Sequence, residues 1–207
     1  MARETGLDVA AADYASEAPS DFGAGMLSLG RVDLTDPEQA GAAIAAVVAM
    51  FGRIDVLFNV AGAFSWQTVE TGDVQTWERL HRLNTLTTFN ASKAAAPHLI
   101  SSGSGRIVNV GANAAIRAGG GMGAYAASKA GVHRLTEAMA EELKQQGVTV
   151  NAVLPSIIDT PANRSEMPDA DFSAWVSLQE VATVMLFLAS IQASAVTGAL
   201  VPVVGRV

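Results

Sequence analysis

Six short apolar runs recur along the chain: Leu7–Asp13, Met26–Val32, Ile54–Asn59, Arg106–Val110, Val148–Leu154 and Ala199–Val204. Each has strand length, and apolar residues run through them continuously instead of at every second position. A strand with one wet face alternates, whereas a strand covered on both faces does not. Helical patterns lie between the runs, at Asp36–Phe51, Val74–Ser101, Tyr125–Gln146 and Leu178–Ser190. Strands that alternate with helices and are covered on both faces restrict the chain to a parallel sheet between two helical layers. The punctuation agrees. Asp36 is a good N-cap, Pro37 suits the first helical position, and Gly52 ends that helix. A bend is expected near Pro97 in the long second helix. Residues 14–25 read as a loop, and residues 155–176, with Pro155, Pro161 and Pro168, as an irregular segment.

Composition excludes several classes of function. The 207 residues fit one domain, 1–207. Half are hydrophobic and only 16% charged, so the chain is globular. A net charge of −7 without a basic run argues against nucleic acid as a partner. Without cysteine there is no disulfide, thiol nucleophile or cysteine-ligated metal. His81, His98 and His133 are scattered, so no metal site is expected. The N-terminus shows no apolar signal region, and the run Val181–Ala189 is too short to span a bilayer. No membrane partner and a cytoplasmic location are therefore expected.

Parallel sheets of this kind bind ligands at the carboxyl ends of their strands. Asp13, Asp33, Asn59–Gly62, Gly111–Ala112 and Pro155–Thr160 fall at those ends. A glycine-rich run, Gly119 to Gly123, then leads into Tyr125-Ala-Ala-Ser-Lys129. Tyr125 and Lys129 are one helical turn apart on one face. A nearby ammonium favours phenolate, so such a tyrosine could exchange a proton with a carbonyl or alcohol oxygen. The plain alternative is a tyrosine capping a buried face beside a solvated surface lysine.

In order along nearly its whole length, the chain resembles the short-chain dehydrogenase/reductase family. The matching segments are Asp33-Leu-Thr-Asp36, Asn59-Val-Ala-Gly62, Leu83-Asn84, Arg106-Ile-Val-Asn-Val110, Tyr125-x-x-x-Lys129 and Pro155-Ser-Ile-Ile-Asp-Thr160. The resemblance implies a Rossmann-like, doubly wound parallel sheet and hydride transfer between a nicotinamide cofactor and a small carbonyl, alcohol or C=N substrate. It implies Tyr125 as acid/base, Lys129 as its modulator and ribose ligand, and Asn84 as holder of a relay water. Asp13, Asp33, Leu34, Asn59, Ala61, Gly62, Pro155, Ile158 and Thr160 would contact the cofactor, with Ile158 and Thr160 at the carboxamide. A carboxylate at Asp13 repels a 2′-phosphate, so NAD(H) is favoured over NADP(H). Phe64, Trp66, Ala112 and Asn113 would border the substrate, and the segment 155–176 would form a lid. The family pairs two long helices between subunits, which implies a homodimer or homotetramer through 74–101 and 125–146.

Two departures stand out. The family serine thirteen residues before the tyrosine is Ala112 here, with Asn113 beside it. That loop, with Gly121-Met122 beyond it, is similar to dihydropteridine reductases, which also lack the serine. The second departure is at the start: no Thr-Gly-x-x-x-Gly-x-Gly turn precedes Asp13, and Met1–Gly6 reads as the tail of a missing helix. The expectation is a sheet lacking its first strand and helix, with unpaired edges near Asp13 and Asn59. A fragment or displaced start, a natural truncation completed by a partner, and a degenerate homologue all fit that reading. Under the last two, a non-catalytic binding or assembly subunit is the alternative to an enzyme.

Overall fold

The computed structural model describes residues 6–15 and 26–207. The expected helix tail and the loop at 14–25 lie largely outside these residues. All strand pairs are parallel. Strands β1 (Ala10–Ala12) and β2 (Leu27–Leu29) form one two-stranded sheet. Strands β3 (Val56–Asn59), β4 (Arg106–Val110), β5 (Thr149–Pro155) and β6 (Leu200–Val203) form a second, in that order.

The continuous apolar pattern becomes two cores, one on each face of the larger sheet. Successive strand residues point to opposite sides. Ile107 and Val150 enter one core with Ala95 and Leu99 of α3 (Thr87–Ser101) and Met139 and Leu143 of α4 (Gly123–Leu143). Val108 and Val153 enter the other with Val181, Met185 and Leu188 of α6 (Leu178–Ala189). Helix α1 (Pro37–Phe51) packs on the first side through Ile44, Val47 and Val48. Its caps are those expected: the Asp36 carboxylate accepts the Glu38 N–H, Pro37 is at the start, and Gly52 is left-handed.

No described strand lies between β1 and β3. A cavity of about 710 Å³ occupies that place, lined by consecutive residues of both segments, Leu7–Ala12 and Arg53–Ala61. A cavity lined by every residue of a strand faces its edge, because a face would show only every second one. The ladder supports this. Asp13 N–H donates to Leu29 O, Leu27 N–H to Val9 O, and Arg106 N–H to Asp55 O. By the alternation of a parallel ladder, Ala10, Ala12, Val56 and Phe58 turn their backbone groups toward the cavity.

Two expectations about elements need correction. The second long helix is interrupted, but not at Pro97, which lies within α3. The irregularity is a π-helical turn, His81–Leu86, between α2 (Val74–Leu80) and α3. Residues 155–176 are also more regular than expected. They contain α5 (Pro161–Glu166), capped by the Thr160 hydroxyl, and the segment's two ends are tied by an Ile158–Val176 bridge. Among the described residues, no helix is long and apolar enough to cross a membrane.

Candidate active site

The site lies where β3, β4 and β5 end and α4 begins. Because these strands pair in parallel, all their carboxyl ends lie along one end of the sheet. Helix α4 presents Tyr125, half-buried, and Lys129, which is only 5% exposed. The Lys129 ammonium donates to the Val110 carbonyl oxygen at 2.8 Å, which fixes it beneath the end of β4. Burial pushes this lysine down from 10.5 to about 8, because a low-dielectric setting penalises the charged form. Burial also raises the Tyr125 phenol above its usual value. The expected depression of the phenol by its neighbour is not seen in the free protein, where burial leaves Tyr125 a neutral phenol at pH 7.

Asn84 is fully buried at the π-turn. Its side chain clamps the loop after β3, since Oδ1 accepts the Ala63 N–H at 2.8 Å and Nδ2 donates to Ala63 O at 3.0 Å. Nδ2 also donates to Ser128 Oγ at 2.8 Å, and that hydroxyl donates to the Tyr125 carbonyl oxygen at 2.7 Å. Asn84 therefore joins the β3 loop to the first turn of α4. Gly62 makes this possible: a Cβ there would lie 2.6 Å from Asn84 Oδ1 and 3.1 Å from Lys129 Nζ. Ser128, three residues after Tyr125 on the same helix, was not among the expected site residues.

Aromatic residues flank Tyr125 and the glycine-rich loop. Phe64 meets the Tyr125 ring edge-on at 5.0 Å between centroids. Trp66 donates its indole N–H to Gly120 O at 3.0 Å, and Gln67 N–H donates to Gly121 O at 2.8 Å. These bonds clasp the β3 loop to the glycine-rich loop. Gly121 is left-handed, and a Cβ there would collide with the Trp66 indole. Ala112 is buried, and the Asn113 amide has no hydrogen-bond partner among the described residues.

Other expected residues divide in two. Asn59 is buried, and its amide donates to Ser92 Oγ at 3.0 Å and Asn109 Oδ1 at 2.8 Å, so its side chain braces the site from below. Pro155 is buried at the end of β5. The exposed Ala61 and Gly62, with Ile158 and Thr160, remain at the strand ends, where Ile158 O accepts the Asn163 amide. On the smaller sheet, Asp13 Oδ1 accepts the Ala15 N–H, Asp33 Oδ1 accepts the Thr35 N–H, and Leu34 O accepts the Asn90 amide. Arg31, which was not expected there, lines a shallow pocket with Tyr14, Asp33 and Gln39.

A family model described as short chain dehydrogenase matches residues 4–171. The 3-oxoacyl-[acyl-carrier-protein] reductase FabG of Thermotoga maritima is 34% identical over 182 residues, covering 84% of this chain and 74% of that protein. The structure of an aldohexose dehydrogenase from Thermoplasma acidophilum superposes with a TM-score of 0.87 at 29% identity, covering 99% of this chain and 85% of that one. A carveol dehydrogenase from Mycobacterium avium in complex with NAD gives 0.82 at 25% identity, covering 96% and 87%.

Proposed function

Because the chain belongs to the short-chain dehydrogenase family and is an NAD(P)-dependent oxidoreductase, we propose that it reduces a small C=O or C=N group with Tyr125 as the proton donor. The observation that carries this reading is the Tyr125–Lys129 pair at the end of β4, with the phenol held neutral and the ammonium fixed on Val110 O. A nicotinamide cofactor, when bound, would supply the hydride. The donor set fits such a cofactor: Lys129 and the Ile158–Thr160 backbone for its nicotinamide half, Asp13, Asp33 and Leu34 for its adenosine half.

Tyr125 delivers its proton to the substrate oxygen or nitrogen as charge develops there. Lys129, still charged at pH 7, stabilises the phenolate left behind. Asn84 holds the β3 loop and Ser128 in register with Tyr125, and by the family resemblance it would hold the relay water that links Lys129 to solvent. Phe64 and Trp66, themselves exposed, flank one side of the site. With Ala112 in place of a hydroxyl, the Asn113 amide is the polar group next in line for the substrate oxygen, which leaves C=N substrates open. Asp13 favours NAD(H) through charge. Exposed Val74, Trp77 and Phe89 on α2 and α3 support pairing of subunits there, which light scattering would read as a dimer or tetramer and a monomer would refute.

Tyr125→Phe is the test of this reading. The variant should bind NADH as the native chain does yet lose turnover by a factor of about 10³ or more, the upper range for a positioned acid. Turnover within tenfold of native would remove Tyr125 from the chemistry.

A further inference from the structure

His133 follows Lys129 by one more turn of α4 and is 2% exposed. Its Nε2 accepts the Ala112 N–H at 3.3 Å. The imidazole also presses on the preceding residue, since a Cβ on Gly111 would lie 2.5 Å from Nε2 and 2.8 Å from Cδ2. The ring therefore sits directly under the loop that leaves β4 and carries Ala112 and Asn113. We infer that His133 is a positioning residue: as a neutral Nε2 acceptor it fixes the 111–113 loop, and with it the Asn113 amide, against the substrate. This rests on the reading of the β4 end as the active site.

An Nε2 that accepts a hydrogen bond must be unprotonated, which puts the single proton of a neutral ring on Nδ1. Burial holds the imidazole below its usual range, and Arg134 and Lys129 push it the same way. Both cations are on its own helix. The loop after β4 presents it with the Gly111–Ala112 backbone, and burial and the two cations all act on it in one direction. Acid would convert Nε2 into a donor facing the Ala112 N–H, so the loop would lose its anchor. The folded-state value lies below the unfolded one. The stabilisation is therefore complete above about pH 6.5 and is lost as pH falls through the folded value.

The experiment compares His133→Gln, which keeps an acceptor near the Nε2 position without titrating, with His133→Leu, which removes it. Turnover is followed with NADH and whichever small ketone or quinonoid dihydropterin the native chain reduces. The native profile should show an acidic fall in kcat/KM. His133→Gln should keep activity within about threefold and flatten that limb. His133→Leu should lose about tenfold in kcat/KM, the weight of one modest hydrogen bond, with NADH affinity unchanged. An equal loss in both variants, or an acidic limb that persists in His133→Gln, overturns the inference. Imidazole nitrogen NMR of the native chain decides it without turnover. An Nδ1–H tautomer titrating below 6.5, with the Ala112 amide moving in step, is expected. An Nε2–H tautomer, or a charged ring at pH 7, refutes it. Failure of the active-site reading shows separately, as turnover retained in Tyr125→Phe.

Discussion

Lys129 is the costliest residue in the site. It is buried with one carbonyl for company, and its value falls from 10.5 to about 8. Between those two values the unfolded chain holds more protons than the folded one, so stability rises with pH across that window. The penalty is fully present below pH 8 and is on the order of 3 kcal/mol. Lys129→Met should therefore stabilise the fold at pH 7 by about 2 kcal/mol, after allowing for the hydrogen bond lost at Val110. The gain should vanish near pH 10.5, while turnover at pH 7 collapses. Thermal denaturation across pH checks the first statement. A variant less stable than the native chain at pH 7 would contradict it. The Tyr125–Lys129 spacing already pointed to this lysine in the sequence. His133 and Ser128 were not legible. Each acts through a bond to backbone near the site, and nothing about a histidine or serine inside a helix announces such a partner.

At the scale of elements, the caps of α1 and the positions of β3 to β6 were readable, because turn chemistry and burial are local or periodic signals. The π-turn was not. It exists where Asn84 reaches across to Ala63 and Ser128, and contacts of long sequence separation leave no period. The expected bend at Pro97 followed a local rule, but the helix accommodates that proline near its end. The junction also depends on a glycine. Gly62→Ala should cost about 2 kcal/mol through overpacking against Asn84 and Lys129, and activity should fall with it. Gly41→Ala in α1, where a Cβ meets nothing within 4 Å, should instead stabilise by about 1 kcal/mol. Denaturant titration of the pair checks the contrast, and equal effects would contradict it.

The whole molecule holds two parallel sheets, β1–β2 and β3–β6. The larger carries the groups proposed for the proton chemistry and the smaller the groups expected to meet adenosine. The gap between them was anticipated from the missing glycine-rich turn before Asp13, and the cavity lined by both strand edges occupies it. Arg31 was overlooked because nothing local marks its role. It holds a left-handed backbone, φ 59°, and its N–H donates to Ala15 O close to Asp13. Asp13→Ala should shift the preference toward NADPH by about tenfold, the scale of one unit charge in a wet cleft. The measurement that tests the account most directly is a fluorescence titration of the purified chain with NADH and with NADPH. Saturable micromolar binding of NADH, tighter than NADPH, is predicted. A folded chain that binds neither would contradict the assignment of these strand ends to a nicotinamide cofactor.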